Sequence, residues 1–87
     1  MNTAQVANVF GFIAAGIGII MFVPQAVQVW RTKNTKSISL VSFALLGCAS
    51  IFWIVYGLLL TAAPIILVNV VVLALSSYIV LMKIKHG

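Results

Sequence analysis

The sequence predicts an all-α membrane protein: a single domain, residues 1–87, built as a bundle of three transmembrane helices. Three observations carry that prediction. Hydrophobic residues make up 64% of the chain and charged residues 6%, with no Asp or Glu, where a soluble domain carries roughly a quarter charged residues. Mean hydropathy is +1.30, and the apolar residues gather into three runs of membrane length. The basic residues lie only at the edges of those runs. A small soluble helical bundle is excluded by this composition.

The first apolar run covers about Thr3–Trp30. It is longer than a straight, upright helix needs to cross a hydrocarbon core of about 30 Å. Tilt or a kink absorbs the excess, and Pro24 offers the kink, since it lacks an N–H and crowds the carbonyl one turn earlier. The opening "MNTAQVANVF" has no basic stretch of the kind that starts a secretory signal, so this run is expected to be retained. Trp30, just before Arg31, reads as an interfacial anchor. The polar break "RTKNTKS" leads to the second run, Ile38–Leu60. Cys48, inside that run, reads as a small buried hydrophobe. The break "TAAP" is short and uncharged, which makes the second and third helices antiparallel neighbours. Pro64 suits the first turn of the third helix, where its missing N–H would have no partner anyway. That helix is expected over Pro64–Met82.

Arg31, Lys33 and Lys36 lie in the first break, and Lys83 and Lys85 follow the third run. In a three-helix chain these two places share one side of the membrane. Lys and Arg favour the cytoplasmic side, so the prediction is N-terminus outside and C-terminus inside. The net charge of +5 is thereby a topology signal. Nucleic-acid binding is excluded, because the cations form no stripe along a polar face.

Helical spacing sorts the less apolar positions. Asn8, Gly11, Ala15, Gly18, Phe22 and Gln25 recur at steps of three and four on the first helix. Ser39, Ser42, Leu46, Ala49, Ser50, Trp53, Tyr56 and Gly57 do so on the second. Asn69, Val72, Leu73, Ser76 and Val80 do so on the third. Small residues at these spacings mostly let helices approach closely. Asn69 asks for more, because an unpaired amide in hydrocarbon costs several kcal/mol on the order-of-magnitude scale. It either holds another helix or faces a wet cavity. Trp53 lies roughly 12 Å inward from the second turn, and Asn69 roughly 8–10 Å. An indole and an amide thus share one level on adjacent helices.

An aromatic face stacks on the C–H face of a sugar ring, and an amide both donates to and accepts from hydroxyls. A few polar groups in an apolar pocket suit a neutral polar solute. The chain has no carboxylate, and its one histidine, His86, is in the tail. Carboxylate or histidine relays for proton coupling are therefore missing, as are metal ligand sets. No nucleophile–base pair points to an enzyme, and no cofactor is called for. Three helices are too few to enclose a path and seal it from lipid. The economical solution is a parallel two-fold homodimer, 3+3 helices, with its axis along the membrane normal.

These residues resemble a known family. Pro24-Gln25 near the end of the first helix resembles the PQ-loop motif. With the loop "RTKNTKSIS", then Trp53-x-x-Tyr56-Gly57, then Asn69, the chain resembles the SemiSWEET sugar transporters, bacterial half-size relatives of the SWEET facilitators. The resemblance covers nearly the whole chain. It implies a parallel homodimer whose units pack in the order first, third, second. It implies passive, bidirectional diffusion of mono- or disaccharides, of the glucose or sucrose class, by alternating access in a bacterial inner membrane. Trp53 and Asn69 match the residues that line the sugar pocket. Pro24 matches the hinge proline, and Gln25 beside it is expected to bond backbone or cross-helix groups where the ladder is broken. Tyr56 matches an outer-gate tyrosine. The Arg–Asp pair that completes this gate in some members is replaced by Leu60 and Ala62, so no ionic latch is expected here. Two other readings stay open: a small membrane assembly protein that uses its small-residue faces for packing, and a PQ-loop transporter of another neutral solute.

Overall fold

A computed structural model describes residues 1–87 as three helices, α1 (Thr3–Thr32), α2 (Leu40–Leu60) and α3 (Ala63–His86). α1 opens on a reciprocal cap. The Gln5 amide donates to Asn2 Oδ1 at 2.8 Å, and the Asn2 amide donates to Gln5 Oε1 at 2.9 Å. α1 continues through Pro24 and ends at Lys33, whose left-handed backbone (φ 56°) turns its N–H onto the Val29 carbonyl at 2.9 Å. The loop that follows folds on its own side chains. Thr32 Oγ1 donates to Gln28 O and accepts from the Asn34 amide, and Asn34 Oδ1 accepts from the Lys36 amide. Ser39 caps α2 by accepting from the Ser42 amide at 3.2 Å. The reversal into α3 is abrupt: Thr61 adopts φ 54°, and the Ala62 N–H reaches back to Gly57 O at 2.8 Å. Pro64 sits in the first turn of α3.

Two helix ends lie beyond their apolar runs. α1 reaches Thr32 and α3 reaches His86, because Arg31 and Lys83, Lys85 and His86 in the last turns complement the negative ends of the helix dipoles. α2 starts at Leu40, after the Ser39 cap.

α3 lies between the other two helices, and no close backbone approach joins α1 to α2. The Cα envelope is 49 × 22 × 14 Å. The Cα atoms of one helix span only about 5 Å across its axis, so the three helices are not coplanar: the protomer is a bent slab with α3 at the bend, and Phe22 of α1 reaches Phe43 of α2. Only 10 of 87 residues are buried, which leaves both slab faces to lipid or to another chain.

Small residues set the helix spacing. A Cβ at Gly11 would meet the Pro64 ring at 2.9 Å, and Ala15 beside it is buried. A Cβ at Gly18 would sit 3.5 Å from Val68. Across the other seam, a Cβ at Gly57 would come within 2.9 Å of Ile66 Cγ1 and 3.2 Å of Ile65 Cγ2. Ser50 and Ser76 are fully buried, and each hydroxyl donates to its own helix, to Leu46 O and Leu73 O. At the basic end, Lys83 Nζ donates to the carbonyl of buried Thr35 at 2.8 Å and ties the loop to α3.

Cys48 departs from expectation. It is exposed and lines an apolar groove between α2 and α3 with Ile51 and Leu81. Gly47, one residue earlier, takes the seam position instead, against Ser76.

Candidate functional site

The α2 stripe read as one face is two. Leu46, Ser50 and Gly57 turn toward α3, while Ala49, Trp53 and Tyr56 are exposed. With Phe52 these last three line an open hollow of about 440 Å³. The Trp53 and Tyr56 rings meet edge to face, with centroids 5.4 Å apart and planes at 86°. One ring braces the other, and Trp53 stays half exposed, with surface for a flat apolar partner.

Asn69 is partly buried on α3, six residues after Ala63, and Trp53 lies seven residues before Leu60. Both are therefore about 9–10 Å from the reversal. Asn69 Nδ2 donates to Ile65 O of its own helix at 2.8 Å, and Oδ1 makes no hydrogen bond within the chain. It does not line the Trp53 hollow.

Pro24 is exposed on α1. Its missing N–H leaves the carbonyl of Ile20 without its ladder partner. Gln25 also departs from expectation. It makes no side-chain hydrogen bond and instead lines a cleft of about 290 Å³ with Gln28, Asn34 and Ser37. Tyr56 stands in the Trp53 hollow near the reversal.

The aromatic pair Phe22–Phe43 was not anticipated as a unit. It spans α1 and α2, with ring centroids 6.1 Å apart and planes at 70°. Phe22 belonged to the α1 stripe, but nothing along the chain marks Phe43 as its partner. Trp30 is exposed, and Lys33 Nζ lies 5.8 Å from its ring centroid, a cation–π contact suited to an interfacial anchor.

The hollow and the cleft open on the same slab face. Ile51 and Leu81 line the Cys48 groove, whereas Trp53 lines the hollow and Ile79 the cleft. Each pair is two residues apart, roughly 200° around its helix, so Trp53 and Ile79 both point away from the groove side. One face thus carries the aromatic hollow toward the reversal and the amide cleft toward the basic end, and Phe43 of the aromatic pair stands between the cleft and the Cys48 groove and borders both.

Residues 6–66 match the PQ loop repeat family. The chain is similar to the sugar transporter SemiSWEET of Leptospira biflexa serovar Patoc, 36% identical over 80 residues that cover 92% of this chain and 94% of the relative. It is similar to the sugar transporter SemiSWEET of Bradyrhizobium diazoefficiens, 34% identical over 92% of this chain and 93% of the relative. The fold superposes on the crystal structure of a bacterial homologue of SWEET transporters with a TM-score of 0.87 at 34% identity, covering 94% of this chain and 99% of that one.

Proposed function

The chain belongs to the PQ-loop repeat family and, within it, to the SemiSWEETs, which are transporters and not enzymes, and from that premise we propose that it carries sugars across a bacterial inner membrane. Transport is passive and bidirectional, and it proceeds by alternating access in a parallel homodimer. The N-terminus lies outside, and the basic end is cytoplasmic.

The observation that carries this reading is the aromatic hollow, open and uncovered on one side of the bent slab. A face with a half-exposed indole and no lid calls for a second layer. A two-fold partner supplies that layer and brings two copies of Trp53 and Asn69 around one axis. Trp53 stacks on the sugar ring, and Asn69 binds its hydroxyls. Tyr56 closes the outer side by packing, since Leu60 and Ala62 offer no charge. Pro24 is the hinge at which the cytoplasmic end of α1 swings. The chain offers no Asp or Glu for a proton relay, which favours diffusion down the sugar gradient.

Uptake of labelled glucose and sucrose into proteoliposomes, with no proton gradient, tests the reading. Wild type takes up sugar, and Asn69→Ala and Trp53→Ala lose uptake as intact dimers. Loss of the dimer in those variants would favour an assembly role. Dimers that carry neither sugar would point to another neutral solute. Pro24→Ala restores the missing backbone bond and slows uptake at unchanged sugar affinity. Uptake at the wild-type rate would remove the hinge.

A further inference from the structure

The cleft at the basic end concentrates polar groups that the fold leaves unused. Gln25 and Gln28 lie one turn apart on α1, and Asn34 and Ser37 face them from the loop. Neither glutamine side chain nor the Ser37 hydroxyl makes a hydrogen bond within the chain, and Asn34 commits only Oδ1, to the Lys36 amide. Elsewhere Asn2 and Gln5 cap each other and Asn69 bonds Ile65, while Asn8, exposed on α1, stands alone with no second polar side chain in a pocket beside it. Phe43 and Ile79 give the cleft an apolar floor.

No charged side chain lines this cleft, so its chemistry is that of neutral donors and acceptors. Two primary amides offer carbonyl acceptors and paired N–H donors, and a hydroxyl and a third amide add to them. Such a set matches vicinal hydroxyls, and the apolar floor matches the C–H side of a ring. A volume of about 290 Å³ lies at the lower edge of the roughly 300–1,000 Å³ that small-molecule sites occupy. It suits one sugar ring better than two. The cleft also shares its slab face with the Trp53 hollow, and Phe43 is ten residues from Trp53, about 15 Å along α2.

We propose that this cleft is a second carbohydrate subsite, a vestibule that holds a single neutral sugar ring at the basic end of the path. The ligand class rests on the sugar-transport reading; the site itself rests on three uncommitted polar side chains, Gln25, Gln28 and Ser37, with the Asn34 amide nitrogen beside them. A sugar passing between the Trp53 level and the basic end crosses the Phe22–Phe43 edge and is held by Gln28 and Ser37 on the far side.

Glucose binding by the full dimer in nanodiscs, read by saturation-transfer NMR, tests this. Asn69→Ala weakens the central site and leaves weak, saturable glucose binding. Gln28→Leu added to Asn69→Ala lowers that residual binding at least tenfold, and Ser37→Ala added instead lowers it severalfold without enlarging any side chain. An Asn69→Ala dimer that binds no glucose, or residual binding indifferent to both second substitutions, overturns the subsite. Loss of the dimer on Gln28→Leu, with Ser37→Ala silent, also overturns it, because a second copy then fills the cleft. The two readings fail separately. Binding without uptake in wild type ends the transport reading and spares the subsite, while uptake with no residual binding in Asn69→Ala does the reverse.

Discussion

The two seams of the slab are built differently. The α2–α3 seam is pinned along its length: Gly57 is jammed against Ile65 and Ile66 beside the reversal, and Gly47 meets Ser76 further down. The α1–α3 seam has its glycine contacts, Gly11 on Pro64 and Gly18 on Val68, only in the half before Pro24. Beyond Pro24, α1 is held by buried Ala26 and Val29 and by the loop, which the Lys83–Thr35 bond ties to α3. Glycine seams bring backbones close and resist sliding, because closely packed groups transmit any displacement. α2 and α3 thus form one stiff hairpin, and the second half of α1 is the part with least to hold it.

Four substitutions probe that contrast. The largest effect is expected for Gly57→Val. Its branched side chain has no room between Ile65 and Ile66, and the cost is about 3 kcal/mol or more, read as loss of the folded dimer in detergent chromatography. A folded Gly57→Val dimer would show that the hairpin seam is not stiff. Gly11→Ala comes next, at about 1–3 kcal/mol, because the Pro64 ring cannot rotate away. Pro64→Ala is expected to rescue it in a double-mutant cycle of thermal unfolding. Lys83→Met removes one charge-assisted bond, worth about 1 kcal/mol net at this partly exposed position. Its clearest readout is faster proteolysis within residues 33–39, with the hairpin intact. The smallest effect is expected for Gly16→Ala. A Cβ there meets nothing within 4 Å, so better helix propensity gives a slight gain of about 0.5 kcal/mol. A destabilised Gly16→Ala would place another surface against α1.

The three helices and the α2–α3 reversal were legible because hydropathy and charge act over whole segments. Gly11, Ala15 and Gly18 were legible as a packing face because α1 brings its backbone close to α3 alone. The α2 stripe was not resolved, since spacing by three and four spans nearly half a helix circumference and cannot divide a seam from an open face. Ser50 and Trp53 fall on either side of that division. The Ile65 partner of Asn69 was not legible for a related reason. Position reveals that an amide needs a partner but not which partner wins, and its own Ile65 carbonyl is always within reach. Phe22–Phe43 depends on two helices that touch only through side chains, which no pattern along one helix encodes.

The Asn69–Ile65 bond bears on how tightly a solute is held. Ile65 O takes one of the two Nδ2 hydrogens and so fixes the direction of the amide, which leaves the second N–H and Oδ1 for a hydroxyl of a solute in the proposed site. Each such bond replaces one to water, so the gain per hydroxyl is a small difference. Under the proposed function that is a loose grip from an amide already aimed, suited to turnover in both directions.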